Sequence, residues 1–147
     1  MQLKRETDYA LRIVFYIGEQ WAEKGRSSCG FDLSELSMQA GVPRLAAGRV
    51  CGYLENGGII VSYRADSGEL RWRPCEGFYG RTMLDIIEAV EGQVQLFAVF
   101  DRKNRFFGMY GAKLRRLQSR FCAVFSEFSV EELLKVRKKP EKRKKRW

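Results

Sequence analysis

The sequence predicts a mainly α fold with a small β-wing, and three patterns carry that expectation. Residues 31–56 hold two helical patterns separated by the turn Gly41-Val42-Pro43. Residues 59–73 hold two β-like runs, and apolar residues recur at heptad spacing from Phe107 to Phe128. Helix, turn, helix and two-stranded ribbon is the winged helix-turn-helix arrangement, and the last pattern adds a long C-terminal helix. The expected division is a winged helix-turn-helix over residues 1–80, linker and dimerisation helices over 81–136, and a disordered basic tail over 137–147.

Each element has a local reason. Thr7 suits the cap of a first helix whose apolar stripe is Ala10, Ile13, Val14, Ile17 and Trp21. That helix ends near Lys24-Gly25, and a polar loop follows. Asp32 suits the cap of the second helix, with Glu35 three positions on to complete a capping box. Leu33, Leu36 and Ala40 fall on one face of it. Pro43 suits the first position of the third helix. That helix is expected to bury Ala47, Val50, Cys51 and Leu54 and to turn Leu45, Arg49, Gly52 and Asn56 outward. Gly57-Gly58 stops it. Runs at 59–63 and 70–73 form the ribbon, joined by Ala65-Asp66-Ser67-Gly68. The ribbon carries Arg64, Arg71 and Arg73 where phosphates would lie, with Asp66 and Glu69 partly neutralising them.

Beyond the wing, Thr82 and Asp85 have capping-box spacing for a short helix that buries Met83, Ile86, Ile87 and Val90 and ends at Gly92. Residues 93–105 admit two readings: a connector packed on the core, or an aromatic lining for an effector. Phe107, Tyr110, Leu114, Leu117, Phe121, Val124 and Phe128 then make a heptad seam. Gly108 and Gly111 weaken its first turn, which puts the firm helix start near Tyr110. Such a seam wants a partner helix, and the economical partner is the same helix of a second copy. The other reading is a lid folded onto the same chain. Ser129 and Glu132 suit a capping box for a last short helix with Val130, Leu133 and Leu134.

Composition narrows the function. The chain of 147 residues is 45% apolar, enough for a real core, and holds no apolar run long enough to span a bilayer. With no signal-peptide core at the N-terminus, the reading is cytoplasmic. The net charge of +9 is unevenly placed: residues 135–147 hold nine Lys or Arg and one acid, Glu141, leaving 18 basic and 17 acidic residues for the rest. Affinity of the body for DNA must therefore come from local placement of arginines. The chain has no histidine, which removes the usual general base and the commonest metal ligand. Cys29, Cys51, Cys75 and Cys122 are never closer than 22 positions, so there is no C-x-x-C knuckle. Nor is there a nucleophile–base pair. Asp85, Glu88 and Glu91 read as solvated acids on an amphipathic helix, and the chain reads as a non-enzyme.

Three stretches also resemble a known family. MQLKRETDYALRIV at the start, LSELSMQAGVP in the helix-turn-helix and LDIIEAVEG over residues 84–92 are similar to the Rrf-type (BadM-like) bacterial winged-helix repressors, and so is the heptad helix followed by FSVEELL. The resemblance runs to about Val136. It implies a homodimeric regulator on imperfect palindromic operators, with residues 43–56 as recognition helix and the wing of residues 64–73 at the minor groove. It also implies, for many members, an iron–sulfur cluster held by three cysteines in the loop after EAVEG. Here residues 93–111 contain no cysteine, and the wing turn is ADSGE in place of a glycine-rich one. Asp8 stands where a few members supply a carboxylate ligand, with no thiolates to complete the set. The chain thus reads as an atypical member without cofactor.

The functional expectation is a homodimeric, sequence-specific DNA-binding transcriptional repressor on a palindromic operator. Its DNA-binding set is Arg44, Leu45, Gly48, Arg49, Gly52, Arg64, Arg71 and Arg73, with Arg49 at base edges and Arg44 at phosphate. Its dimerisation set is Tyr110, Leu114, Leu117, Phe121, Val124 and Phe128. The partners are double-stranded DNA and a second copy, with no membrane and with an effector, small molecule or protein, left open. The alternative is a winged-helix interaction protein that binds another protein through the seam or the aromatic loop. The basic tail is expected to add affinity without specificity. Truncation after Arg137 should flatten the salt dependence of DNA binding, because fewer counterions are released; an unchanged slope would show that the tail does not touch DNA.

Overall fold

The stripe on α1 (Arg5–Lys24) is buried as its spacing requires: Ala10, Ile13, Val14 and Ile17 have no exposed surface, and Trp21 packs half-buried beside them. The structure, a computed structural model, describes residues 4–24, 29–94 and 105–135, with the side chains of 105–109 outside that description. After α1 come α2 (Leu33–Ala40), α3 (Arg44–Asn56), β1 (Ile60–Arg64), β2 (Leu70–Pro74), a 3₁₀ turn (Phe78–Gly80), α4 (Met83–Glu91) and α5 (Arg105–Ser126). The backbone is helical again over 130–135. The expectations for residues 95–104, which include most of the aromatic loop, and for the tail fall outside the described residues.

The start of α1 differs from the sequence reading. Thr7 is not its cap but lies inside the helix, buried, with its hydroxyl donating to Glu91 Oε2. The Lys4 N–H donates to the same oxygen at 2.7 Å. A carboxylate from the end of α4 thus takes the place of an N-cap, where negative charge also suits the helix dipole. Glu91 is therefore no solvated acid, and neither is Asp85, which is committed to the cap of α4.

Asp32 caps α2 as expected, accepting from the Glu35 N–H at 2.7 Å. Glu35 does not complete the box: its carboxylate accepts from Tyr16 Oη at 2.7 Å and ties α2 to α1. Burial, and then this carboxylate, hold the Tyr16 hydroxyl well above its ordinary pKa. Gly41, at φ 68°, ends α2 in the left-handed region that an L side chain avoids. Pro43 sits one position earlier than expected, as the N-cap of α3. The inner face of α3 buries Ala46, Ala47, Val50, Cys51 and Leu54.

The wing is a two-stranded antiparallel sheet with Ser62 opposite Trp72 and Tyr63 opposite Arg71. Its strands run one residue past the expected ends, to Arg64 and Pro74. Phe31 adds a further rung, exchanging hydrogen bonds of 2.9 and 2.8 Å with the Trp72 backbone. Ile60 and Trp72 turn one face of the ribbon into the core. Ile86, Val90 and Val130 join that core, so α4 and the returning C-terminal residues pack with the helix-turn-helix.

The capping box of α4 is complete: Asp85 N–H to Thr82 Oγ1 at 3.2 Å, and Thr82 N–H to Asp85 Oδ2 at 3.0 Å. Helix α5 begins at Arg105, five residues before the expected firm start, so Gly108 and Gly111 are carried within it. The residues just after it are stitched to the start of α4 by Met83 N–H to Phe128 O and Val130 N–H to Arg81 O, each 2.8 Å. At about 1.5 Å per residue, α5 is more than twice as long as α4, so part of it extends past its neighbour. Ser129 contributes half of its expected box, accepting from the Glu132 N–H at 3.2 Å. Replacing Thr82 with Ala is expected to cost about 0.5–2 kcal/mol in urea unfolding. A free energy equal to the parent's would show that the cap does not hold α4.

Candidate nucleic-acid interface

With its inner face fixed in the core, α3 must present Leu45, Arg49 and Asn56 to solvent. Leu45 is 83% exposed, and the Arg49 side chain is 59% exposed. Between them the surface is shallow. A Cβ added at Gly52 would meet nothing within 4 Å, and one at Gly48 would meet only Leu33 Cδ2, at 3.9 Å. Space inside the protein therefore does not demand either glycine, although each costs about 1 kcal/mol in a helix interior. What the two glycines leave is a flat strip on which a second surface can come close. Arg44 stands at the start of this face with Nη1 donating to Ser34 Oγ at 3.0 Å. Met38 of α2, 77% exposed, was not among the sequence-derived residues; it lies off the heptad and helix stripes that sequence reasoning follows.

The three wing arginines do not form one row. Residues facing each other across an antiparallel ladder share a face, so Arg71 and Arg73 lie with Tyr63 and Val61, while Arg64 and Leu70 lie on the Trp72 side. Arg64 Nη1 donates to Gly68 O at 2.9 Å, which closes the wing turn over itself. The Arg73 guanidinium lies 5.2 Å from the centre of the Tyr63 ring. Arg71 is committed most fully, to Glu69 at 2.9 Å and to Cys29 O at 3.4 Å. A cleft of about 230 Å³ separates the wing from the N-terminal ends of α2 and α3, lined by Asp32, Leu33, Arg44, Glu69 and Trp72.

Glu55 fixes the wing relative to α3. Its Oε1 accepts from Ser62 N–H at 3.1 Å and from Ser62 Oγ at 2.6 Å. The sequence offers only a faint signal for it, an acid on the last turn of α3 seven residues before a strand serine.

The heptad seam of α5 is divided between two surroundings. Leu114 and Phe121 are half-buried in the chain's own fold, and Phe121 meets Phe125 edge-to-face with ring centres 5.0 Å apart. Tyr110, Leu117, Val124 and Phe128 stay exposed, with Leu117 at 54%. The outward apolar row is therefore narrower than the seam predicts.

The four thiols do not fit an iron–sulfur cluster. Cys29 is exposed before α2, Cys51 is buried on the inner face of α3, and Cys75 and Cys122 are half-buried after β2 and on α5. Cluster ligation needs thiolates converging on one site, and among the described residues no three His, Cys, Asp or Glu side chains converge.

No family model and no curated protein sequence matches the chain. Solved structures do. The chain is similar to CymR (YrzC), the global cysteine regulator of B. subtilis, with a TM-score of 0.68 at 16% identity over 92% of this chain and 98% of that one. It is similar to T. potens IscR, with a TM-score of 0.64 at 13% identity over 92% and 87% of the two chains. It is also similar to the oxidized form of Staphylococcus aureus CymR, with a TM-score of 0.58 at 20% identity over 91% and 96%. The fold, mainly helical with a small two-stranded wing, is thus shared along nearly the whole chain. Among the described residues no helix is long and apolar enough to cross a membrane.

Burial, and then the charge of Glu55, push the Cys51 thiol from 9.0 up to about 12. The unfolded thiol ionises first, so this group favours the folded state below pH 9 and loses that contribution as pH rises toward 12. A thiol reagent at pH 8 is expected to label exposed Cys29 in the native protein and Cys51 only after unfolding. Rapid native labelling of Cys51 would show that the inner face of α3 opens readily.

Proposed function

We propose that the chain is an Rrf-type regulator, a cytoplasmic homodimer that binds double-stranded DNA at a palindromic operator and represses transcription. One observation carries the reading most: the outward face of α3, where Leu45 and Arg49 flank a strip left bare by Gly48 and Gly52 beside an arginine-bearing wing. An arginine on such a helix binds guanine bidentately in the major groove, and a leucine packs on a thymine methyl group. Arg44, Arg64 and Arg73 take phosphates along the helix start and wing, which positions the helix without reading sequence, while Arg71 is held by Glu69 and Cys29 O. Support also comes from the neighbours in fold, one named as a global regulator. Two-fold symmetry follows if Tyr110, Leu117, Val124 and Phe128 cover one another across two copies, with Leu114 and Phe121 beneath, and it would impose the palindrome.

The exposed row on α5 favours one second reading, a winged-helix protein whose seam binds a different protein. Selection from random duplex DNA separates the two. The regulator enriches a palindrome, and the interaction protein enriches none.

Leu117→Arg puts charge in the exposed row without disturbing the chain's own core. It is expected to give monomers in light scattering that bind DNA poorly, and an unchanged dimer would remove the proposed interface. Arg49→Ala should lose discrimination at one base position at a cost of about 1–3 kcal/mol, whereas Arg64→Ala or Arg73→Ala should weaken all sequences alike. An unaltered sequence preference in Arg49→Ala would mean that α3 does not present that residue to the bases.

A further inference from the structure

Resting on the reading that α3 enters a DNA groove, we infer that Glu6 is a positioning residue for base recognition, holding Arg49 by its Nε edge so that the two terminal nitrogens remain for a base. Glu6 stands in the first turn of α1 and Arg49 midway along α3, 43 positions apart in sequence. Glu6 Oε2 lies 3.8 Å from Arg49 Nε. That is ion-pair range but outside hydrogen-bond range. The same oxygen is buried, and among the described residues it accepts no hydrogen bond. A buried carboxylate oxygen without a donor has lost its water and gained no hydrogen bond in exchange. A shift of about 1 Å would give it the Arg49 Nε–H.

The platform beneath Glu6 is fixed. Lys4 and Thr7, on either side of it, both donate to Glu91 at the end of α4. Glu6 therefore meets Arg49 from a helix start that is itself tied down, while Arg49 is the more exposed partner, at 59% against 27%.

The chemistry of the guanidinium supplies the rest. It is planar and rigid, so gripping one edge aims the other. With Nε engaged, the Nη1–Nη2 edge is left, and this fork matches O6 and N7 of guanine. An arginine not so held sweeps out many rotamers and reaches phosphates of any sequence. The Glu6 charge, close to where DNA would lie, also disfavours phosphate there. Glu6 thus lowers affinity for the wrong duplex while aligning the contact made with the right one.

The test uses the full chain and random duplex DNA, comparing wild type, Glu6→Ala, Glu6→Gln, Arg49→Ala and the double Glu6→Ala/Arg49→Ala. Thermal melting shows which variants are folded. The expected result is that Glu6→Ala loses preference at the single guanine position that Arg49→Ala also loses, with the other positions intact. The ratio of affinity for the selected site to that for a scrambled duplex should fall about tenfold. Glu6→Gln, which keeps an acceptor oxygen, should fall less, and the double variant should be no less selective than Arg49→Ala alone. Unchanged preference at that position in Glu6→Ala, or an even change at all positions, would overturn the inference while leaving the DNA reading in place. A wild-type chain that selects no motif would overturn both.

Discussion

Helix α1 carries a stripe of Ala10, Ile13, Val14 and Ile17 that must leave water, and α2, α3, α4 and β2 all close over it. Gly18 extends the stripe by having no side chain. A Cβ there would come within 3.0 Å of Leu134 Cδ1 and 3.3 Å of Phe78, so the bare position lets the residues after α5 pack closely against α1. This single packing constraint orients the rest. Once the inner face of α3 is committed to α1, the outward direction of Leu45 and Arg49 is decided. Once Phe31 and Trp72 pair beside α1, so is the side on which the wing emerges.

What could be read from the residues was whatever repeats locally. The stripes on α1, α3 and α4, the Asp32 cap and the Thr82–Asp85 box depend on neighbours within a few positions. Contacts between distant residues were not legible. Thr7 has the chemistry of a cap, but its partner is 84 positions away, and Glu35 meets Tyr16 in place of its own helix start. The arginines of the wing share a composition but not a face, because parity across a hairpin depends on register, which the turn sets. The seam on α5 was legible as apolar spacing. How it divides was not, because a heptad stripe is wide enough for one edge to pack at home while the other faces out. The outward placing of Leu45 and Arg49 on α3 follows from periodicity, whereas the pairing of Glu6 with Arg49 and of Glu55 with Ser62 joins separate elements and does not.

The charges follow a similar economy. Outside the basic C-terminal stretch the chain is nearly neutral, and several of its cations are committed within the fold. Arg12 pairs with Asp8 at 2.9 Å, Arg71 with Glu69 at 2.9 Å, and Arg81 donates to Gly58 O at 3.1 Å. The two ion pairs are exposed enough to add little stability. Their effect is to engage these cations within the fold.

The central claim is that the outward face of α3, with the wing beside it, is where this protein meets DNA. Amide hydrogen exchange of the full chain, with and without the duplex it selects, tests this most directly, because it reports on every element at once. The account predicts slowed exchange in the N-terminal half of α3 and in the wing turn at residues 65–68, with the buried strand-to-core contacts unchanged. Protection confined to α5, or none in α3, would contradict it.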